Sequence, residues 1–170
     1  MVKKYRVIKD TREQNGWVFS QYDRCDGMEA GTLHTGDYTM QGFEDVVCVE
    51  RKACVSEIAM NLGRKKKAFH SEMERMKDYE FSFIICEFGM EDVLKYPEGS
   101  RVPREARSSV RVSGKYLLKC FMEFQIWYDT KIIFCDNKSN AFLVCDSIFK
   151  RLNELFHARD KDDPIQETSF

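Results

Sequence analysis

Gly36-Asp37-Tyr38-Thr39-Met40, followed after a short turn by Val46-Val47-Cys48-Val49-Glu50-Arg51-Lys52, is the stretch on which the reading of this chain turns. A Gly-Asp pair opens one strand, Gly42 to Asp45 supply a turn, and the run from Val46 is rich in β-branched residues, so the segment predicts a β-hairpin. Side chains alternate between faces along a strand. Glu50 and Lys52 therefore share one face at the end of the second strand, and Arg51 takes the other. With Asp37 on the partner strand, two carboxylates and an amine meet at one sheet edge. Two oxygen donors suit a divalent cation. A neighbouring ammonium can orient an attacking water or neutralise charge building on a phosphate. The pattern fits metal-dependent hydrolysis.

Around that hairpin the composition is that of one globular domain. The 170 residues are 43% hydrophobic and 13% aromatic, enough for a single core. No apolar run reaches the roughly 18 residues of a membrane helix, so no membrane partner is expected. The opening Met1-Val2-Lys3-Lys4-Tyr5-Arg6 lacks the apolar segment of a signal peptide, and a cytoplasmic location is expected. Seven cysteines, at 25, 48, 54, 86, 120, 135 and 145, are an odd number without a C-x-x-C pair. They read as small reduced core residues rather than as a disulfide frame or a zinc site. A net charge of −1 argues against a uniformly basic surface. The charge is uneven, however. Six basic residues and one acid lie between Arg101 and Lys119, and Arg64-Lys65-Lys66-Lys67 forms a second cluster. Local patches of this kind decide where a polyanion lies.

Tyr5 to Lys9 predicts a short strand running into Asp10-Thr11-Arg12-Glu13. Gln14 to Met28 is polar and irregular, with Trp17, Val18 and Phe19 expected to pin it to the core; Glu29 to Leu33 is expected as a further strand. After Lys52 the apolar period changes from two to near 3.6. Val55, Ile58 and Leu62 mark one helix, interrupted at Gly63, and Phe69, Met73 and Met76 mark a second, to about Asp78. Phe81 to Cys86 predicts a strand buried on both faces that ends at Glu87. A short helix at Met90 to Lys95 precedes a loop from Tyr96 to Val112. Ser113 to Tyr128 predicts a helix apolar nearly all round, hence covered on more than one side. Lys131 to Cys135 predicts another buried strand. Asn137 to Phe156 predicts a last helix with two stripes, Ala141/Cys145/Ile148/Leu152/Leu155 and Phe142/Phe149/Phe156. One stripe suits the sheet. The other invites a second copy of the chain, giving a homodimer through the last two helices, unless both stripes pack on the preceding helix. The domain is expected over residues 1–157, with a disordered tail at 158–170.

In order and spacing, Asp10-x-Arg12-Glu13, Gly36-Asp37, Val49-Glu50-Arg51-Lys52, a helix bearing Gly63-Arg64 and a buried strand ending in Glu87 resemble the XPF-type nuclease domain. That domain is a branch of the restriction-endonuclease-like PD-(D/E)XK superfamily. The likeness spans about residues 5–156, and Asp10-Thr11-Arg12-Glu13-Gln14 with Trp17 soon after is most similar to short stand-alone members of phages and bacteria. The resemblance implies an α/β fold with a central mixed β-sheet flanked by helices. It also implies an endonuclease using Mg²⁺ or Mn²⁺ and acting on DNA, including branched or otherwise structured DNA in repair, recombination or replication. The expected setting is a bacterial or phage-infected cytoplasm.

Carried over by position, Asp37 and Glu50 would be metal ligands and Lys52 the catalytic lysine. Arg51 would support the site or contact phosphate, and Asp10 would be a further carboxylate beside the metal, flanked by Arg12 and Glu13. Phosphate contacts are expected from Arg12, Arg64, Lys65 and Lys66, and from Arg104 and Arg107 in a loop able to reach over the site. Two departures stand out. The acid usual four residues after the lysine is Ser56 here, with Glu57 beside it, and the tandem helix-hairpin-helix domain of many relatives is not found within this sequence. The rival reading is an inactive nuclease fold acting as a DNA-binding or scaffolding partner; a third is a protein that inhibits or mimics a host nuclease. Such proteins would be expected to lose one of the three key side chains, and all three are present.

Overall fold

A computed structural model describes residues 4–22 and 24–159. Its strands are β1 (Tyr5–Asp10), β2 (Cys25–Gly31), β3 (Tyr38–Met40), β4 (Val47–Lys52), β5 (Phe81–Cys86) and β6 (Lys131–Phe134). Its α-helices are α1 (Val55–Gly63), α2 (Lys66–Met76), α3 (Met90–Lys95), α4 (Gly114–Tyr128) and α5 (Lys138–Arg159). The strands form one mixed sheet in the order β2-β1-β3-β4-β5-β6. β3 runs antiparallel to both neighbours, whereas β4, β5 and β6 are parallel, as are β1 and β2. The β3–β4 pair is the hairpin read from the sequence.

Period-two alternation divides the core. Cys48, Ile84 and Cys86 face α1, α2, α3 and α4, while Val47, Val49 and Ile85 face α5. The result is an α/β/α sandwich with two apolar layers. Entry into β3 depends on Gly36. Its φ is +81°, and a Cβ there would stand 2.6 Å from Cys48 Sγ and 3.1 Å from the Val49 carbonyl oxygen, so only glycine fits the turn that delivers Asp37.

Several expectations are corrected. The second strand begins at Cys25 rather than Glu29, pairing Cys25 with Tyr5 and Ala30 with Lys9 at the sheet's edge. Its sequence, Cys-Asp-Gly-Met-Glu-Ala-Gly, has no β-branched residue to announce it. Val18 does not pin its segment, being 68% exposed between buried Trp17 and Phe19. β6 is an edge strand, half-buried throughout. On α4 only Leu117, Cys120, Phe121, Phe124 and Tyr128 turn inward with Gly114; Met122, Ile126 and Trp127 are exposed. The inward face of α5, which includes Ala141, Cys145, Phe149, Leu152 and Phe156, takes members of both stripes. Phe156 stacks on Phe43 with centroids 4.0 Å apart, so the phenylalanine stripe finds partners inside the chain. Helix α5 runs through Arg159, past the expected boundary at 157, and the remainder of the expected tail lies outside the described residues. The seven cysteines are free, six of them buried. Among the described residues no helix is long and apolar enough to cross a membrane.

Candidate active site

β1, β4 and β5 all end, and β3 begins, at one edge of the sheet. Backbone bonds hold Asp37 there. Its N–H donates to the Val49 carbonyl, and its own carbonyl accepts from the Asp10 N–H, both at 2.8 Å. One carboxylate oxygen accepts the Arg51 N–H at 2.8 Å. Glu50 and Lys52 continue the face of Cys48 and meet directly, Nζ donating to Oε1 at 2.5 Å. Lys52 is only 3% exposed, which is rare for a lysine without tight pairing. Its Nζ also lies 3.6 Å from Glu57 Oε1 and 5.7 Å from the Phe69 ring centroid. The other Glu57 oxygen accepts the Ala53 N–H at 3.0 Å, which fixes the entry to α1. Four residues after Lys52, Ser56 Oγ is buried beside the Tyr96 hydroxyl, and the neighbouring Glu57 is the carboxylate of α1 that reaches the lysine.

A further carboxyl, Glu72 on α2, feels the charges of Glu50, Lys52 and Arg75. Burial first, and then the Glu50 charge, push the Asp37 carboxyl up to about 8. The same two causes, in the same order, push Glu72 up to about 7. Burial opposes the Lys52 charge, but Glu50, Glu72 and Glu57 outweigh it and hold the ammonium above the ordinary lysine value. More acid than base is gathered in a dry place, and part of the excess is relieved by retained protons.

A divalent cation would relieve the same excess. Asp37 and Glu50 are the donors placed for it, and Mg²⁺ is commonly bound through one or two carboxylates with waters completing its shell. Among the described residues no group of three or more His, Cys, Asp or Glu side chains stands ready as a metal cage. Asp10 stands beside Asp37 in the backbone, but its carboxylate is engaged elsewhere. Its two oxygens accept the Arg12 N–H, the Arg12 guanidinium twice and the Leu33 N–H, at 2.7–3.0 Å. Burial would raise its pKa, but these bonds lower it below the usual carboxylate value. In this arrangement Asp10 is a clasp that fixes the turn after β1.

Arg51 faces away from Glu50 and Lys52, as alternation along β4 requires. Its guanidinium lies on the opposite sheet face, bidentate to Glu87 at 2.7 and 2.9 Å, with Glu13 at 3.4 Å. The Trp17 indole N–H donates to the same Glu87 at 2.8 Å. Arg51 is a buried brace and not a free cation for phosphate. Of the basic residues, Arg64, Lys65 and Lys66 are exposed at the α1–α2 junction, and Arg104 is exposed on a 3-10 turn, Arg104–Ser109. A Cβ at Gly63 would lie 3.7 Å from Val112, so the two basic segments are neighbours. Arg12 is held by Asp10 and the Leu33 carbonyl yet stays 69% exposed. Arg107 is committed to the Val102 carbonyl and to Glu98, bracing its own loop. Sequence pattern alone does not single out Glu72. Its one signal is an acid three residues beyond Phe69, on the helix that returns to the hairpin.

A mixed sheet flanked by helices, with acid, acid and lysine at one edge, has the restriction-endonuclease-like nuclease architecture. The chain belongs to the ERCC4 domain family, whose profile matches residues 9–145. Among solved structures, XPF from Aeropyrum pernix superposes with a TM-score of 0.60 at 22% identity, over 97% of this chain and 67% of that one. XPF from Aeropyrum pernix in complex with DNA gives 0.57 at 21% identity, over 97% and 69%. At these identities the likeness establishes the fold. No curated protein matches the sequence.

Proposed function

We propose that this chain is a divalent-metal-dependent DNA endonuclease whose working residues are Asp37, Glu50 and Lys52. The observation that carries the reading is the buried Glu50–Lys52 pair with the proton-retaining Asp37 crowded against it, in a chain of the ERCC4 domain family. DNA as the partner is supported by the exposed basic residues of both segments and by the DNA-bound state of the related XPF.

A cation held by Asp37 and Glu50, Mg²⁺ or Mn²⁺, would supply Lewis-acid polarisation of the scissile phosphate. Asp37 and Glu50 would bring it to the sheet edge at fixed positions, because both are anchored through β4. Lys52, kept protonated by three carboxylates, is unsuited to act as a general base near neutral pH. It serves as a permanent positive charge that steadies phosphate oxygens and orients water for in-line attack. Arg51 and Asp10 act at one remove, fixing the chain on either side. Branched or otherwise structured DNA met in repair, recombination or replication is the proposed substrate class, in a bacterial or phage-infected cytoplasm. The exposed apolar side chains of α4 and α5 favour a homodimer.

The test is to incubate the purified protein with flapped, forked, four-way and linear DNA, with and without Mg²⁺. Metal-dependent scission of at least one substrate is expected. Binding without scission of any of them would favour a scaffolding partner instead, and neither binding nor scission would favour a nuclease mimic.

A further inference from the structure

The chain leaving β1 does not turn straight toward β2. It first runs along the sheet edge that carries Asp37, Glu50 and Lys52, from the end of β1 past β4 to β5. Glu13 meets Arg51 of β4 at 3.4 Å. Four residues later the Trp17 indole N–H donates to Glu87, just past β5, at 2.8 Å. Between these two points the backbone is held as well. The Asn15 N–H donates to Glu13 Oε1 at 2.9 Å, and the Asn15 carbonyl accepts from Lys138 Nζ of α5 at 2.7 Å. The Trp17 N–H donates to the Tyr38 hydroxyl at 2.6 Å, and the two rings stack with centroids 4.9 Å apart. A Cβ at Gly16 would stand 1.7 Å from that hydroxyl, so the strap lies too close for any residue but glycine.

Surface loops are ordinarily the looser parts of a fold. This strap is fixed from β3, β4, β5 and α5, yet two side chains take no part in fixing it. Gln14 and Asn15 are exposed, and among the described residues neither side-chain amide has a hydrogen-bond partner. An amide carries a donor and an acceptor together and can pair with the edge of a base, adenine best of all. It has no charge, so it adds little to the general attraction for phosphate. Such a contact discriminates only when its mount is rigid, and the strap supplies the mount. The exposed lysines and arginines of the α1–α2 junction and the 3-10 turn belong to the opposite helical layer.

We propose that Gln14 and Asn15 are specificity-determining residues of the cleavage reaction, contacting base edges next to the scissile phosphate on the α5 side. The inference rests on the nuclease reading and deepens it. The basic residues attract any DNA, and the strap chooses among bases.

The test uses flapped, forked, four-way and linear DNA with bases randomised through the cleaved region, cut in Mg²⁺ and sequenced at the new ends. The parent should favour one base beside the cut by about 5-fold or more, the low end for a good amide–base pair. The double variant Gln14→Ala/Asn15→Ala should lose that preference, and its kcat/KM on the favoured sequence should fall by the same factor, at the parent's melting temperature. Lys65→Ala should slow the cutting of all sequences alike. Random cutting by the parent, a preference that survives the double substitution, or one lost equally in Lys65→Ala overturns the inference and leaves the nuclease reading intact. So does a uniform loss over all sequences in the double variant, the mark of a sugar or phosphate contact. A parent protein that cuts none of the substrates overturns the nuclease reading, and this inference with it.

Discussion

Asp37 and Glu72 keep protons that the unfolded chain would release. An aspartate ordinarily titrates near 3.8, and Asp37 in the fold near 8; for Glu72 the values are 4.5 and about 7. Between each pair of values the folded state binds more protons than the unfolded one, so stability falls as pH rises. The metal-free protein should be most resistant in mild acid and lose melting temperature from about pH 5 to about pH 9. Saturating Mg²⁺ should flatten that slope, because the cation replaces the protons. Asp10, with its lowered pKa, acts with the opposite sign, but only in acid below this window. Thermal melts over this range, with and without Mg²⁺, check the point; a metal-free melting temperature that climbs with pH contradicts it. The Glu50–Lys52 contact is legible in the sequence because two residues apart on one strand is a local relation. Glu72 is not, since its place depends on how α2 returns across the sheet. The Arg51–Glu87 pair is equally hidden, because it depends on the register that sets Arg51 opposite Ile85 and Lys52 opposite Cys86.

At the level of elements, Arg51 ties the ends of β4 and β5 to the segment after β1 through Glu87 and Glu13. Both Arg51 and Glu87 are buried, so truncating the arginine strands a carboxylate away from water. Arg51→Ala should cost about 3–5 kcal/mol of unfolding free energy. Lys119→Ala, which removes a largely exposed partner of Glu123 on α4, should cost only about 0–1 kcal/mol. Urea unfolding of the two variants separates the cases, and equal losses would contradict the brace. Elements with strong periodicity are legible: the hairpin, the run Phe81 to Cys86, and the helices after Lys52. β2 is legible only in part, because an edge strand can be held by the backbone of β1 without β-forming side chains. The second stripe of α5 reads as outward-facing because nothing in the chain pattern reveals that Phe19 and Phe43 fold over to meet it.

For the molecule as a whole, apolar side chains stay exposed on both helical layers. Ile126 and Trp127 on α4 are exposed on one side of the sheet; on the other, Leu143 on α5 is exposed beside a groove of about 510 Å³ lined by Phe81, Phe83, Leu143 and Ile148 among others. Patches of this character mark association sites. Sedimentation should find a dimer, and Trp127→Glu with Leu143→Glu should yield a folded monomer; a parent protein monomeric at high concentration would contradict the homodimer. On the proposed function, the exposed basic residues near the α1–α2 junction and in the loop after α3 are the surface expected to meet DNA. What joins these parts is the chemistry at the sheet edge, and the rate of Mg²⁺-dependent DNA scission by Glu50→Gln, set beside the parent protein, probes it most directly. Scission should vanish while the melting profile shows an intact fold. Cutting at the parent rate would mean that Glu50 holds no metal and that the chemistry lies elsewhere.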